Sequence, residues 1–313
     1  MQHEPATLDG LQIYQESPHV SRLFCRTCGA HIFARLELNG RYLVASGVLG
    51  ASDTPHVESI QHWKIQDTVD GGLSTFLPGW PSAETCALQA YCEDTSSSAG
   101  LNFNLRSNSN SNSNTNPQDT SLEQHIKLLR AQCHCGGIEF YITAPDVSSS
   151  EAWSPWPDLL VPYHSGSSDN PEDIKWWLRD GETKYLAGTC SCTSCRQGSG
   201  FPIQTWAFIP KSNILNADQS PLTFGRGTMR QYRSSPGVFR EFCSCCGANV
   251  FWHNAERPSI VDVSVGLLKG DAARVEGWLE WATGRVSFAE LAIQKDLIRM
   301  LEVGLRNYRN SPL

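Results

Sequence analysis

The sequence predicts a mainly β protein made of antiparallel strands, with one amphipathic helix at its C-terminus. Four short stretches are rich in β-branched and aromatic residues and are bounded by Gly, Pro or Asn, which is typical of strands: GGIEFYIT, TWAFIP, RYLVASGVL and SIVDVSVGLL. Near the C-terminus, Leu297, Leu301, Leu305 and Tyr308 recur at helical spacing after a candidate N-cap at Ser287. These patterns favour small antiparallel sheets followed by one final helix.

The composition is that of an ordinary globular protein. The chain has 313 residues, of which 40% are hydrophobic and 18% charged, so it is long enough for about two domains. A formal net charge of -7 gives no basic surface of the kind that nucleic acid requires. The N-terminus has no basic region followed by an apolar run, and no apolar stretch reaches the ~18 residues of a membrane span. We therefore expect a cytoplasmic protein without nucleic-acid or membrane partners.

A polar tract divides the chain. From Thr95 to Gln118 the sequence reads TSSSAGLNFNLRSNSNSNSNTNPQ, which has too few apolar groups to offset the entropy cost of ordering. The sequence therefore predicts three parts: a first unit over residues 1–93, a disordered linker over 94–120 and a second unit over 121–313.

The two predicted units share a repeated segment. LQIYQESPHVSRLFCRTCGAHIF in the first unit matches MRQYRSSPGVFREFCSCCGANVF in the second at a constant separation of 218 positions. The match continues after a shift of one residue, which sets Gly47 against Gly266. The first unit is therefore predicted to be a partial copy of the later half of the second unit.

Cysteine usage indicates metal binding. The chain has 12 cysteines, and most of them are clustered in C-x-C and C-x-x-C pairs. A secreted disulfide framework is the alternative, but the chain is far longer than disulfide-stapled domains. Metal binding in a reducing compartment is the better interpretation.

One cysteine cluster has three candidate ligands and no fourth beside them. The segment GTCSCTSCRQGSG places Cys190, Cys192 and Cys195 in a C-x-C-x-x-C pattern. A structural zinc site has four protein ligands, whereas a catalytic site typically has three and an open position. Three thiolates and one divalent zinc form a centre with a net negative charge. Such a site favours chemistry on a substrate thiol over hydrolysis. The pattern predicts a catalytic zinc site.

Two further cysteine pairs supply a closed set of four thiolates. QCHCGG contains Cys133 and Cys135, and FCSCCGANVF contains Cys243 and Cys246, each pair being followed by a glycine that suits a tight knuckle turn. Cys245 is the alternative to Cys246, but the matching position in the first unit is Thr27. We assign Cys133, Cys135, Cys243 and Cys246 to a structural zinc, so that two zinc ions per chain are expected.

These motifs, in this order, resemble the glutathione-dependent formaldehyde-activating enzymes together with centromere protein V and its relatives. The resemblance rests on C-x-C-G from Cys133 to Gly136, C-x-C-x-x-C-R from Cys190 to Arg196, and F-C-x-x-C-G from Phe242 to Gly247. It implies a β-tent fold and a second zinc, held by the three-cysteine cluster, that is linked to glutathione and formaldehyde. It further implies a carbon–sulfur lyase that forms S-hydroxymethylglutathione. Residues 121–313 correspond to the complete domain.

The chain departs from that family pattern in two places. The 54 residues between Cys135 and Cys190 contain a long insertion. Its aromatic side chains either form a lid over a substrate bulkier than formaldehyde or bury the insertion against the sheet. They are Trp153, Trp156, Tyr163, His164, Trp176 and Trp177. In addition, the first unit retains Cys25 and Cys28 without a C-x-C-G partner, so these two form at most an incomplete metal site, which Cys86 and Cys92 would have to complete.

Arg196 directly follows the three-cysteine cluster. It is predicted to neutralise the anionic centre or to bind a substrate carboxylate through its planar fork. A surface ion pair is the equally simple alternative. The leading functional hypothesis is thus a zinc-dependent carbon–sulfur lyase acting on a thiol adduct, with glutathione as the candidate thiol. The alternative is a non-catalytic zinc module that carries glutathione or binds a protein partner.

Overall fold

The N-terminal part of the chain forms a separate four-stranded antiparallel sheet. The computed structural model describes residues 7–50, 60, 62, 65–77, 127–156, 159–160 and 169–310. The sheet has the order β1-β2-β3-β4. Its strands are β1 (Leu11–Ser17), β2 (Val20–Cys25), β3 (His31–Leu36) and β4 (Tyr42–Val44). Three 3-10 helices follow it at Ser46–Val48, Ile65–Thr68 and Gly72–Phe76.

A second, three-stranded sheet has the order β10-β6-β5. It consists of β5 (Leu128–Gln132), β6 (Glu139–Thr143) and β10 (Ile214–Asn216). Helix α1 (Val147–Glu151) follows β6 and begins with a reciprocal capping box, in which Asp146 and Ser149 exchange side-chain and backbone hydrogen bonds. The cap fixes the start of α1, directly after β6.

The largest sheet carries most of the candidate site. Its main path is β11-β12-β13-β14-β9-β8-β15, with β7 paired to β8 off that path, and all pairs are antiparallel except β15 with β8. The strands are β7 (Leu178–Arg179), β8 (Lys184–Cys190), β9 (Gln204–Pro210), β11 (Met229–Ser235), β12 (Val238–Cys243), β13 (Asn249–Asn254), β14 (Arg257–Ser264) and β15 (Leu279–Trp281). Short helix α2 (Thr193–Ser199) connects β8 to β9, and 3-10 helices lie at Lys211–Asn213, Val265–Leu267 and Ala289–Leu291. Helix α3 (Lys295–Asn310) ends the described chain.

The predicted fold class is confirmed: the described chain is mainly β, with antiparallel sheets, few helices and a C-terminal helix. The predicted strand segments overlap β6, β9, β4 and β14, but the last two strands end before their segments do. Their ends turn into the 3-10 helices Ser46–Val48 and Val265–Leu267. Both of these short helices contain the glycine that the sequence match had aligned, Gly47 or Gly266.

The repeated segments form strands with the same pairing. Leu11 faces Cys25 as Met229 faces Cys243, and both hairpins have their irregularity at the equivalent place. The next pairing is also equivalent, since Phe24 faces His31 in β2 and β3. Phe242 faces Asn249 in β12 and β13. The two segments therefore share strand register as well as sequence.

The predicted helix N-cap at Ser287 is wrong. Helix α3 begins at Lys295, and Ser287 instead forms a parallel bridge with Cys190. Its backbone NH donates to the Thr189 carbonyl at 2.9 Å. The sequence signal was misread because a Ser before an apolar periodic stretch is also compatible with an extended segment that hydrogen-bonds a neighbouring strand.

One hydrophobic core extends from the large sheet to α3 and also includes residues from before the polar tract. Phe76 is completely buried in it and meets the Tyr308 ring edge-on at 5.1 Å. A Cβ atom at Gly304 would lie 1.9 Å from the Phe76 carbonyl oxygen, so α3 requires glycine at this contact. Residues 65–77 therefore contribute to the core of the C-terminal part of the chain.

The predicted linker at 94–120 lies outside the described residues, as do Cys86, Cys92, Tyr163 and His164. Among the described residues, no helix combines the length and the apolar character that crossing a membrane requires. The division into units at 93 and 121 stays a prediction.

Candidate metal centre and substrate cavity

The structure brings the four predicted structural ligands together. The sulfur atoms of Cys133, Cys135, Cys243 and Cys246 all lie within 4.8 Å of one another. The Cys135 sulfur is 3.5 Å from the sulfurs of both Cys133 and Cys243. A tetrahedral zinc with Zn–S bonds of about 2.3 Å places its sulfurs about 3.8 Å apart, so the group has the dimensions of a zinc site.

Two equivalent knuckle turns hold these ligands. In the first, the Cys133 NH donates to the Ile138 carbonyl at 3.1 Å, and Gly136 has a φ of 74°. In the second, the Cys243 NH donates to the Ala248 carbonyl at 2.9 Å, and Gly247 also has a φ of 74°. Only glycine adopts this left-handed conformation without steric cost, which explains the glycine after each cysteine pair.

Backbone amides contact two of the four sulfurs. The Ile138 NH lies 3.3 Å from the Cys133 sulfur, and the Gly137 NH lies 3.4 Å from the Cys135 sulfur. The thiol of Cys245 is exposed, and the group of four contains Cys246, as predicted. Amide donors around a compact set of four sulfurs suit a structural metal.

The three-cysteine cluster forms where β8 ends and α2 begins. The sulfurs of Cys190, Cys192 and Cys195 lie within 4.8 Å of one another. Cys192 is the N-cap of α2, and its sulfur accepts a hydrogen bond from the Cys195 NH at 3.3 Å. The bridge to Ser287 holds the end of β8 from the other side. The cluster is therefore held by a strand end, a helix start and a crossing segment.

The electrostatics of the cluster suit a bound cation. Hydrogen bonds from the Cys190 and Cys192 thiols, with the Arg240 guanidinium nearby, hold the pKa of the Cys195 thiol well below its usual range. Contact with Cys192 and Cys195 raises the pKa of the Cys190 thiol well above its usual range. Three neighbouring thiols cannot all ionise without added positive charge, and a soft divalent ion such as zinc provides it. The donor set therefore fits zinc.

Arg240 is the functional residue that the sequence analysis missed. It is only 4% exposed, and its Nη2 atom lies 3.3 Å from the Cys195 sulfur and 2.9 Å from the Ser194 hydroxyl. The Trp206 indole NH also donates to the Cys195 sulfur, at 3.4 Å. The one signal for Arg240 in the sequence was the repeat, in which Arg22 matches Arg240. Because the unit that contains Arg22 lacks the three-cysteine cluster, this match did not indicate a role at the cluster.

Arg196 does not reach the cavity beside the cluster. It is 5% exposed, and its Nη1 atom donates to the carbonyl oxygens of Gly47 and, at 2.9 Å, Leu49. This arrangement is neither the surface ion pair nor the carboxylate fork considered for it, and neutralisation of the anionic centre by Arg196 stays a prediction. The guanidinium that contacts the sulfurs belongs to Arg240, because α2 turns the residue after Cys195 toward the N-terminal sheet.

A cavity of about 490 Å³ opens beside the three cysteines. Its volume is in the range that binds small ligands. Aromatic and cysteine side chains line much of it, together with polar groups from β12, β14 and the segment before α3. The lining includes Cys190, Cys192, Cys195, Trp156, Trp206, Phe208, Trp252, Phe288, Leu159, Thr189, Arg240, Asp262 and Arg285. An apolar cavity with thiolates at its wall can hold the thiol end of a ligand at the cluster.

Two buried polar atoms at this cavity are unsatisfied. Within the described part of the chain, Nη1 of Arg240 and the Thr189 hydroxyl have no hydrogen-bond partner. Both residues line the cavity. Because an unpaired buried donor is costly, these two groups are suited to bind polar atoms of a ligand.

Some aromatic side chains of the insertion are buried against the sheet, and one lines the cavity. Trp176 and Trp177 are buried in the core, and the Trp177 indole NH donates to the Ser149 carbonyl at 3.0 Å. Trp156 lines the cavity, whereas Trp153 is 46% exposed. The first two anchor the insertion on the sheet, and Trp156 belongs to the cavity wall.

Leu159 covers β8 immediately before the cluster. A Cβ atom at Gly188 would lie 2.2 Å from the Leu159 side chain, so glycine leaves the space that Leu159 fills. The Arg285 guanidinium donates to the Leu159 carbonyl at 3.1 Å. Leu159 is thereby held beside the cavity.

Cys25 and Cys28 retain a knuckle without a third ligand nearby. The Cys25 NH donates to the Ala30 carbonyl at 2.9 Å, as in the other two knuckles. Among the described residues, no other sulfur, imidazole or carboxylate completes a group of three with them. Their role as metal ligands stays a prediction.

We expect Arg240→Lys to lower kcat/KM for the thiol-adduct reaction predicted from the sequence by about 10- to 100-fold. Lysine retains the charge but cannot contact both Ser194 and the Cys195 sulfur in the same geometry, and partners of metal ligands commonly have effects of this size. Steady-state kinetics with total metal analysis measures the effect. Arg230→Lys on the neighbouring strand is the matched control, because Arg230 donates to backbone carbonyls next to it. Equal kinetics for the two variants would contradict the role given to Arg240.

Comparison with known proteins supports the resemblance seen in the sequence. Residues 176–280 match the family model "Glutathione-dependent formaldehyde-activating enzyme". That stretch contains the three-cysteine cluster and the knuckle of Cys243 and Cys246, and the recognition of this family is confirmed there. No curated protein matches the chain. A crystal structure of a Rhodobacter sphaeroides protein is similar at 19% identity, covering 49% of this chain and 99% of that chain, with a TM-score of 0.28.

Proposed function

We propose that the protein is a zinc-dependent carbon–sulfur lyase, because residues 176–280 match the family model "Glutathione-dependent formaldehyde-activating enzyme". Its substrate is the adduct of a thiol, glutathione or a close analogue, with an aldehyde or a related electrophile. The observation that carries the proposal is the three-sulfur cluster at the wall of a cavity of about 490 Å³. The presence of a separate four-sulfur group leaves this cluster free for chemistry.

Two zinc ions per chain are proposed, one in each sulfur group. Cys133, Cys135, Cys243 and Cys246 would hold the structural ion, and Cys190, Cys192 and Cys195 the other. In the three-cysteine site, bound zinc would supply a Lewis-acidic centre for the substrate sulfur. We also place the protein in the cytoplasm, since free thiolate ligands persist in a reducing compartment.

The reaction separates a hydroxyalkyl thioether into a thiol and an aldehyde. The carbon–sulfur bond breaks with its electron pair moving to sulfur, the carbon–oxygen bond becomes a carbonyl, and the hydroxyl proton balances the charge of the thiolate. Arg240 contributes a buried positive charge beside Cys195, which favours negative charge in the adjacent cavity. Thr189 and Nη1 of Arg240 supply the polar contacts that position the adduct.

The cavity wall favours an aldehyde larger than formaldehyde. Five aromatic side chains line it, and they bury apolar surface that a one-carbon unit would leave uncovered. They are Trp156, Trp206, Phe208, Trp252 and Phe288. We therefore propose an apolar or aromatic aldehyde adduct as the preferred substrate class.

Exchange spectroscopy tests the proposed activity. The zinc-loaded protein is mixed with glutathione and a panel of formaldehyde, an aliphatic aldehyde and an aromatic aldehyde, and the rate of exchange between free aldehyde and adduct is measured by NMR. Acceleration that requires the three-cysteine cluster supports the lyase. Tight binding of glutathione without acceleration would instead favour the carrier function. If neither acceleration nor binding is observed, the proposal loses its main support.

Trp156→Ala is expected to change substrate preference. It removes one aromatic wall, so kcat/KM for an aromatic aldehyde adduct should fall about tenfold, while that for the formaldehyde adduct changes less than threefold. Trp153→Ala is the matched control, because Trp153 lies on the same insertion with much of its side chain exposed. An equal loss for both adducts would show that Trp156 supports the fold rather than substrate choice.

A further inference from the structure

The N-terminal sheet packs on the C-terminal part of the chain through reciprocal contacts. A Cβ atom at Gly29 would lie 2.5 Å from the Phe242 ring, and one at Gly247 would lie 2.6 Å from the Phe24 ring. Gly29 and Gly247 are equivalent in the repeat, and so are Phe24 and Phe242. Contacts in which each residue meets the counterpart of its partner are the mark of a two-fold interface, here formed within one chain.

The contact extends from this seam to helix α2. The Gly47 NH donates to the Gly200 carbonyl at 3.0 Å, and Arg196 donates to the carbonyls of Gly47 and Leu49. A Cβ atom at Gly47 would lie 2.4 Å from three backbone atoms at the end of α2. Backbone therefore lies directly on backbone, and no side chain at position 47 can separate the two.

Gly200 makes the contact possible from the other side. It has a φ of 72°, and a Cβ atom there would lie 2.4 Å from the His31 carbonyl oxygen. Gly47 and Gly200 thus clamp the C-terminal end of α2 against the N-terminal sheet. Because α2 carries Cys195 and is capped by Cys192, the clamp acts on two of the three sulfurs of the cluster.

The N-terminal sheet also contacts both knuckles of the structural site. The His31 Nε2 atom hydrogen-bonds the Gly247 carbonyl at 3.0 Å. The Tyr14 hydroxyl hydrogen-bonds Nδ1 of His134, which lies between Cys133 and Cys135, at 2.7 Å. The sheet therefore touches the supports of both metal sites while contributing no sulfur to either group.

We propose that the N-terminal sheet serves as a built-in partner that occupies the place of a second copy and positions the three-cysteine cluster. The positioning residues are Gly47, in the 3-10 helix that follows the sheet, and Arg196 in α2. The clamp sets the placement of α2, and this placement determines the spacing of Cys192 and Cys195 relative to Cys190. The proposal rests on the proposed function only in taking the cluster as a metal site. It also explains why a unit that lacks the C-x-C-x-x-C motif is retained in the chain.

Gly47→Ala and Arg196→Met test the clamp, with Gly266→Ala as the matched control. Gly266 is the counterpart of Gly47 in the repeat, and a Cβ atom there meets no other atom within 4 Å. Protein loaded with two equivalents of cobalt(II), whose thiolate absorption reports ligand geometry, is mixed with a chelator, and release of each equivalent is followed. We expect one equivalent to leave at least about tenfold faster in Gly47→Ala and Arg196→Met, with wild-type kinetics in Gly266→Ala.

Kinetics of the zinc-loaded protein provide a second readout. A displaced cluster should lower kcat with little change in KM, and Arg196→Lys should recover part of the loss by restoring a donor to the two carbonyls. If Gly47→Ala fails to fold, the comparison of Arg196→Met with Arg196→Lys decides the question. Unchanged cobalt spectra and release rates in both Gly47→Ala and Arg196→Met would overturn the proposal. Metal release is independent of lyase activity, so a protein with a functional clamp but no lyase activity would refute only the proposed function.

Discussion

Cys246→Ser is expected to abolish cooperative folding, whereas Cys28→Ser leaves it intact. Cys246 belongs to a group that joins Cys133 to Cys243 across 110 positions, so its metal links two parts of the chain that are distant in sequence. Binding at a structural zinc site is worth about 10–16 kcal/mol in small zinc domains, while whole domains are stable by only about 5–15 kcal/mol. Thermal unfolding followed by circular dichroism measures the difference.

Cys28 is the matched control for this experiment. It occupies the equivalent knuckle position in the repeat, and the described residues supply only Cys25 beside it. Its replacement should cost no more than about 1–2 kcal/mol, which corresponds to a few degrees in Tm. Unfolding of both variants would contradict the assignment of the structural metal to the four-sulfur group alone. Loss of a metal equivalent in Cys28→Ser would instead identify the N-terminal pair as a third site.

Cys195→Ser is expected to release one of two zinc equivalents and to lower kcat/KM more than about a hundredfold. Cys195 receives hydrogen bonds from Trp206 and Arg240, so its loss removes a ligand and leaves two buried donors without their partner. The fold should persist, because the four-sulfur group does not depend on this residue. Metal analysis, exchange kinetics and thermal unfolding together measure the three effects.

Cys245→Ser is the control for Cys195→Ser. Its thiol is exposed and lies outside both sulfur groups, so metal content and activity should match the wild type. If Cys195→Ser unfolds to the same extent as Cys246→Ser, the three-cysteine cluster is a structural site. Retention of both zinc equivalents by Cys195→Ser would contradict its assignment as a ligand.

The cysteine groups could be predicted because metal ligands have local signatures. The spacing of one or two residues between cysteines, with glycine after them, already indicates knuckle turns, and two knuckles with two candidate ligands each make one closed set. The repeat favoured Cys246 over Cys245 as the candidate ligand, and the structure places Cys246 in the group of four. The residues that contact the cluster had no such signature.

Arg196 and Arg240 illustrate this limit. Arg196 adjoins Cys195 in sequence, yet it donates to the carbonyls of Gly47 and Leu49, at the 3-10 helix that follows the N-terminal sheet. Arg240 is 45 positions away on β12, and its guanidinium reaches the Cys195 sulfur. Proximity along the chain was a poor guide here, since consecutive residues at the start of a helix point in different directions.

The surroundings of Ser287 and of the tryptophans in the insertion were also not predictable from the sequence. Periodicity predicted the final helix, but the chain before it is held by a bridge to Cys190. Trp156 and Trp177 belong to the same aromatic insertion, and one lines the cavity while the other is buried. Composition alone cannot distinguish these two environments, because both favour large aromatic side chains.

By itself, the sequence determined the mainly β fold class, the two cysteine groups, the family recognised over residues 176–280 and the repeat between the two ends of the chain. These are properties of spacing and alternation, which a chain expresses within a few residues. Only the tertiary structure decided that Arg240 contacts the sulfurs, that Trp156 borders the cavity and that Gly47 lies on the end of α2. Those contacts join residues that are distant in sequence, and packing between separate elements of the fold determines them.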